Sequence, residues 1–226
     1  MFHVKLDPRP DAERRGGPGG SVAALERSLT AAQLDRLRAY AALLEERAVG
    51  LGLVSGRDRG RIWERHVQDS LRAVPCLRRE FPEGTVVDLG SGAGLPGIPV
   101  AVALPGREVV LLEPRARAVA FLELTVERLG LTNVRVLRAR AEEAGRGGRL
   151  AVAVLARAVA PAPRAWRLAA PLLRPSGGLV YFAGSGRASA AALRALGAGV
   201  RVRVCSEPAF PWQGPVVIIS GTSRPA

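Results

Sequence analysis

Between Val86 and Gly97 the chain runs VVDLGSGAGLPG, with a carboxylate, Asp88, just ahead of three alternating glycines, Gly90, Gly92 and Gly94. An apolar strand that passes through glycines into a helix start leaves backbone N–H groups open to a polar or anionic ligand, because no side chain holds the ligand away. Pro96 suits the first helical turn, where its missing N–H loses no partner. Taken from Gly92, the segment fits G-x-G-x-x-G, a dinucleotide fingerprint; taken from Asp88, it fits D-x-G-x-G-x-G, the first motif of S-adenosylmethionine (AdoMet) enzymes. Asp88 favours the second. A carboxylate at the strand end suits the amino-acid ammonium of AdoMet, directly or through water, and opposes a pyrophosphate. Glu113 ends the next apolar run and can accept hydrogen bonds from ribose hydroxyls with either ligand. Ala141 and Glu142, after a third run, are placed to hold an adenine edge. Singly, each has a bland alternative: a tight turn, a solvated carboxylate, a surface helix residue. Together they argue for a bound cofactor.

These residues need a scaffold, and the pattern of apolar residues supplies one. Short apolar runs alternate with amphipathic helices after Pro82, the rhythm of a parallel sheet covered on both faces. Strands are predicted near Thr85–Leu89, Glu108–Glu113, Asn133–Leu137, Leu150–Leu155 and Gly178–Ala183, with helices near Pro96–Ala103, Arg115–Leu129, Pro161–Leu173 and Ser189–Leu196. Val200–Val204 alternates with arginines and Pro215–Ser220 is continuously apolar, so two late strands without an intervening helix predict an antiparallel hairpin at the sheet edge. The expected class is α/β, a Rossmann-like, mostly parallel sheet. Ahead of it, Thr30 and Gln33 form a capping-box signature, and Leu34, Leu37, Ala41, Leu44 and Ala48 recur at helical spacing until Gly50. A second helix is predicted over about Arg61–Leu77. The division expected is a mobile tail over 1–20, a helical cap over 21–80 and the sheet domain over 81–226.

Composition narrows the setting. The 226 residues are 48% hydrophobic, enough for a substantial core, and carry 33 basic against 20 acidic side chains, a net charge of +13. Lys5 is the single lysine. An arginine surplus of this size favours a polyanionic partner, since Arg pairs bidentately with phosphate and stacks on bases. Arg57, Arg59, Arg61 and Arg65 lead into the second cap helix as a candidate phosphate grip, with Arg201 and Arg203 as a second basic surface. Cys76 and Cys205 stand alone in sequence, without the spacing of a zinc site or disulfide framework, so a reducing, cytoplasmic setting is expected. No apolar run approaches the roughly 20 residues of a membrane span.

The chain resembles the ribosomal small-subunit methyltransferase G family, also called the glucose-inhibited division protein B family. The shared segments are IWERHVQDSL from Ile62 to Leu71, DLGSGAGLPGIP from Asp88 to Pro99, RAVAFL from Arg117 to Leu122, GLTNV from Gly130 to Val134 and RAVAP from Arg157 to Pro161. Similarity runs over roughly residues 30–220, and the first and last segments together are specific to this family. The resemblance implies methyl transfer from AdoMet to N7 of a guanine in the decoding-region loop of 16S rRNA. Carried onto matching positions, it implies that Gly90, Leu95, Ala141, Glu142 and Arg157 line the cofactor site, with Glu113 as ribose acceptor. The implied partner is 16S rRNA, naked or within an assembling or complete small ribosomal subunit, met by a monomer away from any membrane. Two departures stand out. Residues 48–53 replace an Asn-rich stretch, placing Gly52 within it, and Ala183 replaces a lysine at the fifth strand's end, so details of RNA contact differ. A catalytically inactive AdoMet- or nucleotide-binding RNA-associated protein is the alternative, with a dehydrogenase third.

Guanine N7 carries a lone pair and no proton, so alignment matters more than a general base. His66, with Asp69 and Ser70 one turn on, is therefore expected to pin the cap helix to the glycine loop. Arg157 is the candidate for positioning the target base, with a structural salt bridge as the alternative.

Overall fold

The computed structural model describes residue 24 and residues 26–222, apart from 198 and 209. Seven strands form one sheet in the order β3-β2-β1-β4-β5-β7-β6. They are β1 (Val86–Leu89), β2 (Val109–Leu112), β3 (Val134–Leu137), β4 (Ala151–Arg157), β5 (Leu173–Phe182), β6 (Val200–Ser206) and β7 (Val216–Gly221). The first five are parallel, and β7 enters antiparallel between β5 and β6. The Rossmann-like sheet and its late antiparallel pair thus match the expectation.

Helices cover both faces. They are α1 (Ala31–Leu43), α2 (Asp69–Leu71), α3 (Ala73–Glu80), α4 (Gly97–Ala103), α5 (Ala116–Leu129), α6 (Ala141–Arg146), α7 (Ala162–Ala169) and α8 (Arg187–Arg194). Alternation along β1 and β2 assigns each face its partners: Val86, Val109 and Leu111 pack with the cap, α4 and α5, whereas Val87, Leu89, Val110 and Leu112 pack with α7. The cap shares the first of these cores, since Leu37, Tyr40, Val67 and Leu71 join Ile98 and Leu122 in it. Because β1 lies between β2 and β4, strand order reverses there, opening a crevice at the carboxyl ends of β1 and β4.

The capping box closes as its residues predict: Thr30 Oγ1 accepts from the Gln33 N–H, and Gln33 Oε1 from the Thr30 N–H. Three details differ from the sequence expectation. The second cap helix is segmented, with a π turn over Trp63–Gln68, then α2 and α3. A single helix over Pro161–Leu173 gives way to α7 and a 3-10 turn over Ala170–Leu172, where Pro171 lacks the N–H to continue. The short helix α6 has no counterpart in the predicted element order.

The cysteines also require correction. Cys76 on α3 and Cys205 on β6 form a disulfide, with Cα atoms 5.8 Å apart and 129 residues between them in sequence. Packing of α3 against the hairpin brings them together, and local spacing carries no trace of such a pair. Next to it, Arg203 clamps Glu80 through both carboxylate oxygens, and Arg79 Nε donates to the same group at 2.7 Å. The arginine bonds, Arg203 first, hold Glu80 down at about 2. Arg203 is therefore matched by an acid and is not the open basic surface that β6 suggested.

Candidate active site

Asp88 lies at the end of β1, 1% exposed beneath the glycine turn. Its Oδ2 accepts from the Gly97 N–H at 3.0 Å, while its buried Oδ1 accepts from no group among the described residues. Burial pushes this carboxyl up to about 7, against the opposing pull of the Gly97 N–H and then of the nearby Ser91 hydroxyl, which donates to the Asp88 backbone carbonyl at 2.9 Å. A Cβ at Gly97 would collide with Leu111 and Asp88, so glycine there lets α4 sit directly on the sheet. Glu113, just past β2, is 2% exposed. Its Oε2 accepts from the Gly92 N–H at 2.9 Å, and its Oε1 from the backbone N–H and Nε of Arg115 at 3.0 and 2.8 Å. Burial would raise its pKa, yet these donors hold it below the usual carboxylate range. Glu113 is thus an ionised acceptor that also braces the turn, a second role invisible in its spacing.

The cap meets the turn through a residue that motif reasoning missed. Tyr40, fully buried and the one aromatic of α1, donates its hydroxyl to the Ala93 carbonyl at 2.8 Å. His66, expected to make this connection, instead joins two other groups. Its Nε2 lies 3.0 Å from Asp58 Oδ2, and Arg157 Nη2 is 2.9 Å from its Nδ1. Burial first, then the Arg157 charge, lowers the imidazole pKa, consistent with a neutral ring whose Nε2–H donates to Asp58. Both nitrogens are occupied, which leaves His66 no free site for a substrate proton.

Arg157, at the end of β4, donates Nη1 to Asp69 Oδ2 at 3.2 Å. Asp69 Oδ1 accepts from Arg72 Nη1 at 2.8 Å, and Arg72, itself 2% exposed, donates onward to the carbonyls of Ser206, Glu207 and Gly214. The network ties β4, the cap and the loop between β6 and β7 together. It borders a cavity of about 610 Å³ whose walls include Arg157, Val159, Tyr181, Ala183 and Trp212. Ala158 beside it holds φ 56°, a left-handed conformation that an alanine adopts only at a cost of about 1–2 kcal/mol. Val159 joins cavity to turn, its Cγ2 lying 3.2 Å from where a Gly90 Cβ would sit. Arg157 therefore forms the structural salt bridge named as its alternative role, with Asp69, and also lines the cavity.

The remaining predicted residues are less convergent. Leu95 is buried in the turn. Ala141 and Glu142 open α6 beyond β3, Glu142 exposed, and no hydrogen bond among the described residues links either to the turn. The arginine run divides: Arg57, Arg59 and Arg61 are exposed, whereas Arg65 pairs with Asp58 at 3.2 Å, and Arg61 and Arg65 lie over the Trp212 ring, their Cζ atoms 4.9 and 6.0 Å from its centroid. Gly52, at φ 67°, is exposed on the loop after α1, and Ala183 lies in the cavity wall.

Gly92 tests the turn itself. It holds φ 57°, with room for a Cβ 3.6 Å from Arg115 Nη2, so strain and loop displacement, rather than a clash, oppose a side chain. Gly92→Val is expected to cost about 1–2 kcal/mol of stability and to abolish AdoMet binding in a protein that still folds. Wild-type calorimetric affinity in the folded variant would place the ligand elsewhere.

Known proteins share both the sheet and the sequence. A solved Corynebacterium glutamicum protein, 18% identical, covers 83% of this chain with 91% of its own at a TM-score of 0.57, and MtNAS covers 89% with 78% at 0.58 and 18% identity. These establish the fold alone. Ribosomal RNA small subunit methyltransferase G of Salinispora arenicola is 44% identical over 77% of this chain and 74% of its own length. The proteins of the same name from Thermobifida fusca and Streptomyces coelicolor are 44% and 45% identical over 70% of this chain, and the matches span 65% and 67% of those relatives. Residues 33–196, which hold the glycine turn, Glu113, His66 and Arg157, match the family described as rRNA small subunit methyltransferase G, and to that family the chain belongs.

Proposed function

We infer that the chain transfers a methyl group from AdoMet to N7 of a guanine in 16S rRNA. The observation that carries the chemistry is the pair of buried carboxylates flanking one glycine turn, Asp88 with an oxygen unpartnered among the described residues and Glu113 held ionised, beside an arginine-bordered cavity. The pair fits AdoMet. Asp88 Oδ1 is a buried acceptor suited to an ammonium; Glu113 suits the ribose diol; the turn at Gly90, Gly92 and Gly94 admits the methionine portion without side chains. Bound there, AdoMet supplies an electrophilic methyl on a sulfonium.

The chain's own residues then have three tasks. Val159 and Arg157 form the boundary between cofactor turn and cavity, where the guanine must lie for N7 to face the methyl. Arg157, anchored on Asp69 and His66, stands at this boundary as the group that positions the base. No group needs to remove a proton before attack, because N7 has none, and the occupied nitrogens of His66 agree with that. RNA phosphates are gripped by the exposed Arg57 and Arg59. The acting unit is a monomer comprising the 21–80 cap and the 81–226 sheet domain. No helix among the described residues is long and apolar enough to cross a membrane.

Neutralising Arg57 and Arg59 together should weaken rRNA binding and flatten its salt dependence by about 0.7 for each phosphate no longer neutralised on single-stranded RNA, leaving AdoMet affinity intact. A wild-type salt slope would assign these two arginines to ordinary surface. The reaction itself is tested in cells by reverse transcription of 16S rRNA after chemical cleavage at 7-methylguanine. A deletion strain should lose one stop, and complementation should restore it. An unchanged pattern in the deletion strain would reject the assignment.

A further inference from the structure

The loop between β6 and β7 carries a feature that the methyl-transfer reading does not use. Phe210 and Trp212 stack face to face, their ring centroids 4.5 Å apart and their planes 5° from parallel. Aromatic residues make up only 4% of the chain, and Phe210, 39% exposed, is the large hydrophobic residue left open to solvent among the described residues. Its partner Trp212 lines the cavity beside Arg157. The indole Nε1 is buried without a hydrogen-bond partner among the described residues, a donor still to be matched. Arg61 and Arg65, from the other end of the chain, lie over the same indole.

We propose that Phe210 and Trp212 form a stacking platform for an unpaired base of the RNA substrate at the cavity rim, with the exposed Arg61 turned to the adjoining phosphates. The inference rests on the RNA-methyltransferase reading and deepens it by naming where the strand is held. A parallel ring pair offers a flat π surface, the partner that an unstacked base seeks, and a guanidinium group beside it matches the charge of the backbone. A guanine taken out of its own stack leaves neighbours that need a substitute, and the platform supplies it next to the cavity. Arg72, donating to the carbonyls of Ser206, Glu207 and Gly214, holds both ends of the loop against the cap, so the rings are presented on a fixed support.

The test measures binding of a naked 16S rRNA transcript by wild type, Phe210→Ala, Phe210→Leu and Phe210→Tyr, with AdoMet affinity and thermal midpoint in parallel. Phe210 is exposed, so its variants should fold. Stacking predicts roughly five- to 150-fold weaker RNA binding for Phe210→Ala and Phe210→Leu alike, recovery in Phe210→Tyr, an unchanged salt slope and unchanged AdoMet affinity. Arg61→Gln should instead reduce the salt slope. If Phe210→Leu binds as the wild type does, the ring is packing surface only and the platform is refuted while the methyltransferase reading stands. Failure of the wild-type protein to bind the transcript and the small ribosomal subunit alike would refute both.

Discussion

Replacing Asp69 with alanine should cost about 3–5 kcal/mol of folding stability, because it leaves two largely buried guanidinium groups facing each other without their shared anion. Arg72 and Arg157 donate to separate oxygens of this one carboxylate, at 2.8 and 3.2 Å, and their side chains are only 2% and 15% exposed. Such a loss is a large fraction of the roughly 5–15 kcal/mol available to a domain. It should appear as a lower urea midpoint with an unchanged slope. Asp69→Asn keeps acceptor capacity but no charge, and should fall between. Methyl transfer should suffer in both variants more than AdoMet affinity does, since the glycine turn hangs on Tyr40 and Glu113 rather than on Asp69. A wild-type urea midpoint in Asp69→Ala would show that the arginines have other compensation.

AdoMet affinity should rise about tenfold per pH unit up to pH 7 and level off above it. The sign follows from Asp88. Its carboxyl, lifted by burial to about 7, is mostly protonated at pH 6 in the cofactor-free protein. An ammonium favours the ionised form, so binding releases a proton and is opposed as the pH falls. The same shift acts on folding with the opposite slope: an acid whose native pKa stands above its unfolded value of 3.8 withdraws stability as the pH rises from about 4 to 7. Asp88→Asn retains an acceptor for the Gly97 N–H but cannot ionise. It should flatten the affinity profile and weaken binding at pH 8 by about 1.5–3 kcal/mol, the range for a charged hydrogen bond. Calorimetry across pH 5.5–8 in two buffers of different ionisation enthalpy reads both affinity and proton release. A flat wild-type profile would remove Asp88 from ammonium recognition.

What is legible in the sequence is local or periodic. Asp88 and the glycines announce a turn because backbone conformation and steric access are properties of adjacent residues, and Thr30 with Gln33 announces a helix start for the same reason. The parallel sheet follows from apolar runs such as Val109–Leu112, buried throughout. The bonds that position the site are of another kind. Tyr40 reaches Ala93 across 53 residues, Arg157 reaches His66 across 91 and Arg72 reaches Gly214 across 142. Nothing in their immediate neighbours encodes those distances, only the topology that places β1 beside β4 and the cap above both. Sequence spacing on that account gives His66 the right kind of role and the wrong partner. Arg72 leaves one faint trace, its spacing of three from Asp69 on a helical face.

Methyl transfer to guanine N7 is measured most directly by supplying purified protein with 16S rRNA and AdoMet carrying a deuterated methyl. Nuclease mapping and mass spectrometry should find the label in one fragment, on a single guanine, as 7-methylguanine sensitive to borohydride and aniline cleavage. The transfer should vanish in Glu113→Ala. Label on another base or ring position, or an rRNA that remains unlabelled both naked and within the small ribosomal subunit with protein that binds AdoMet normally, would contradict it.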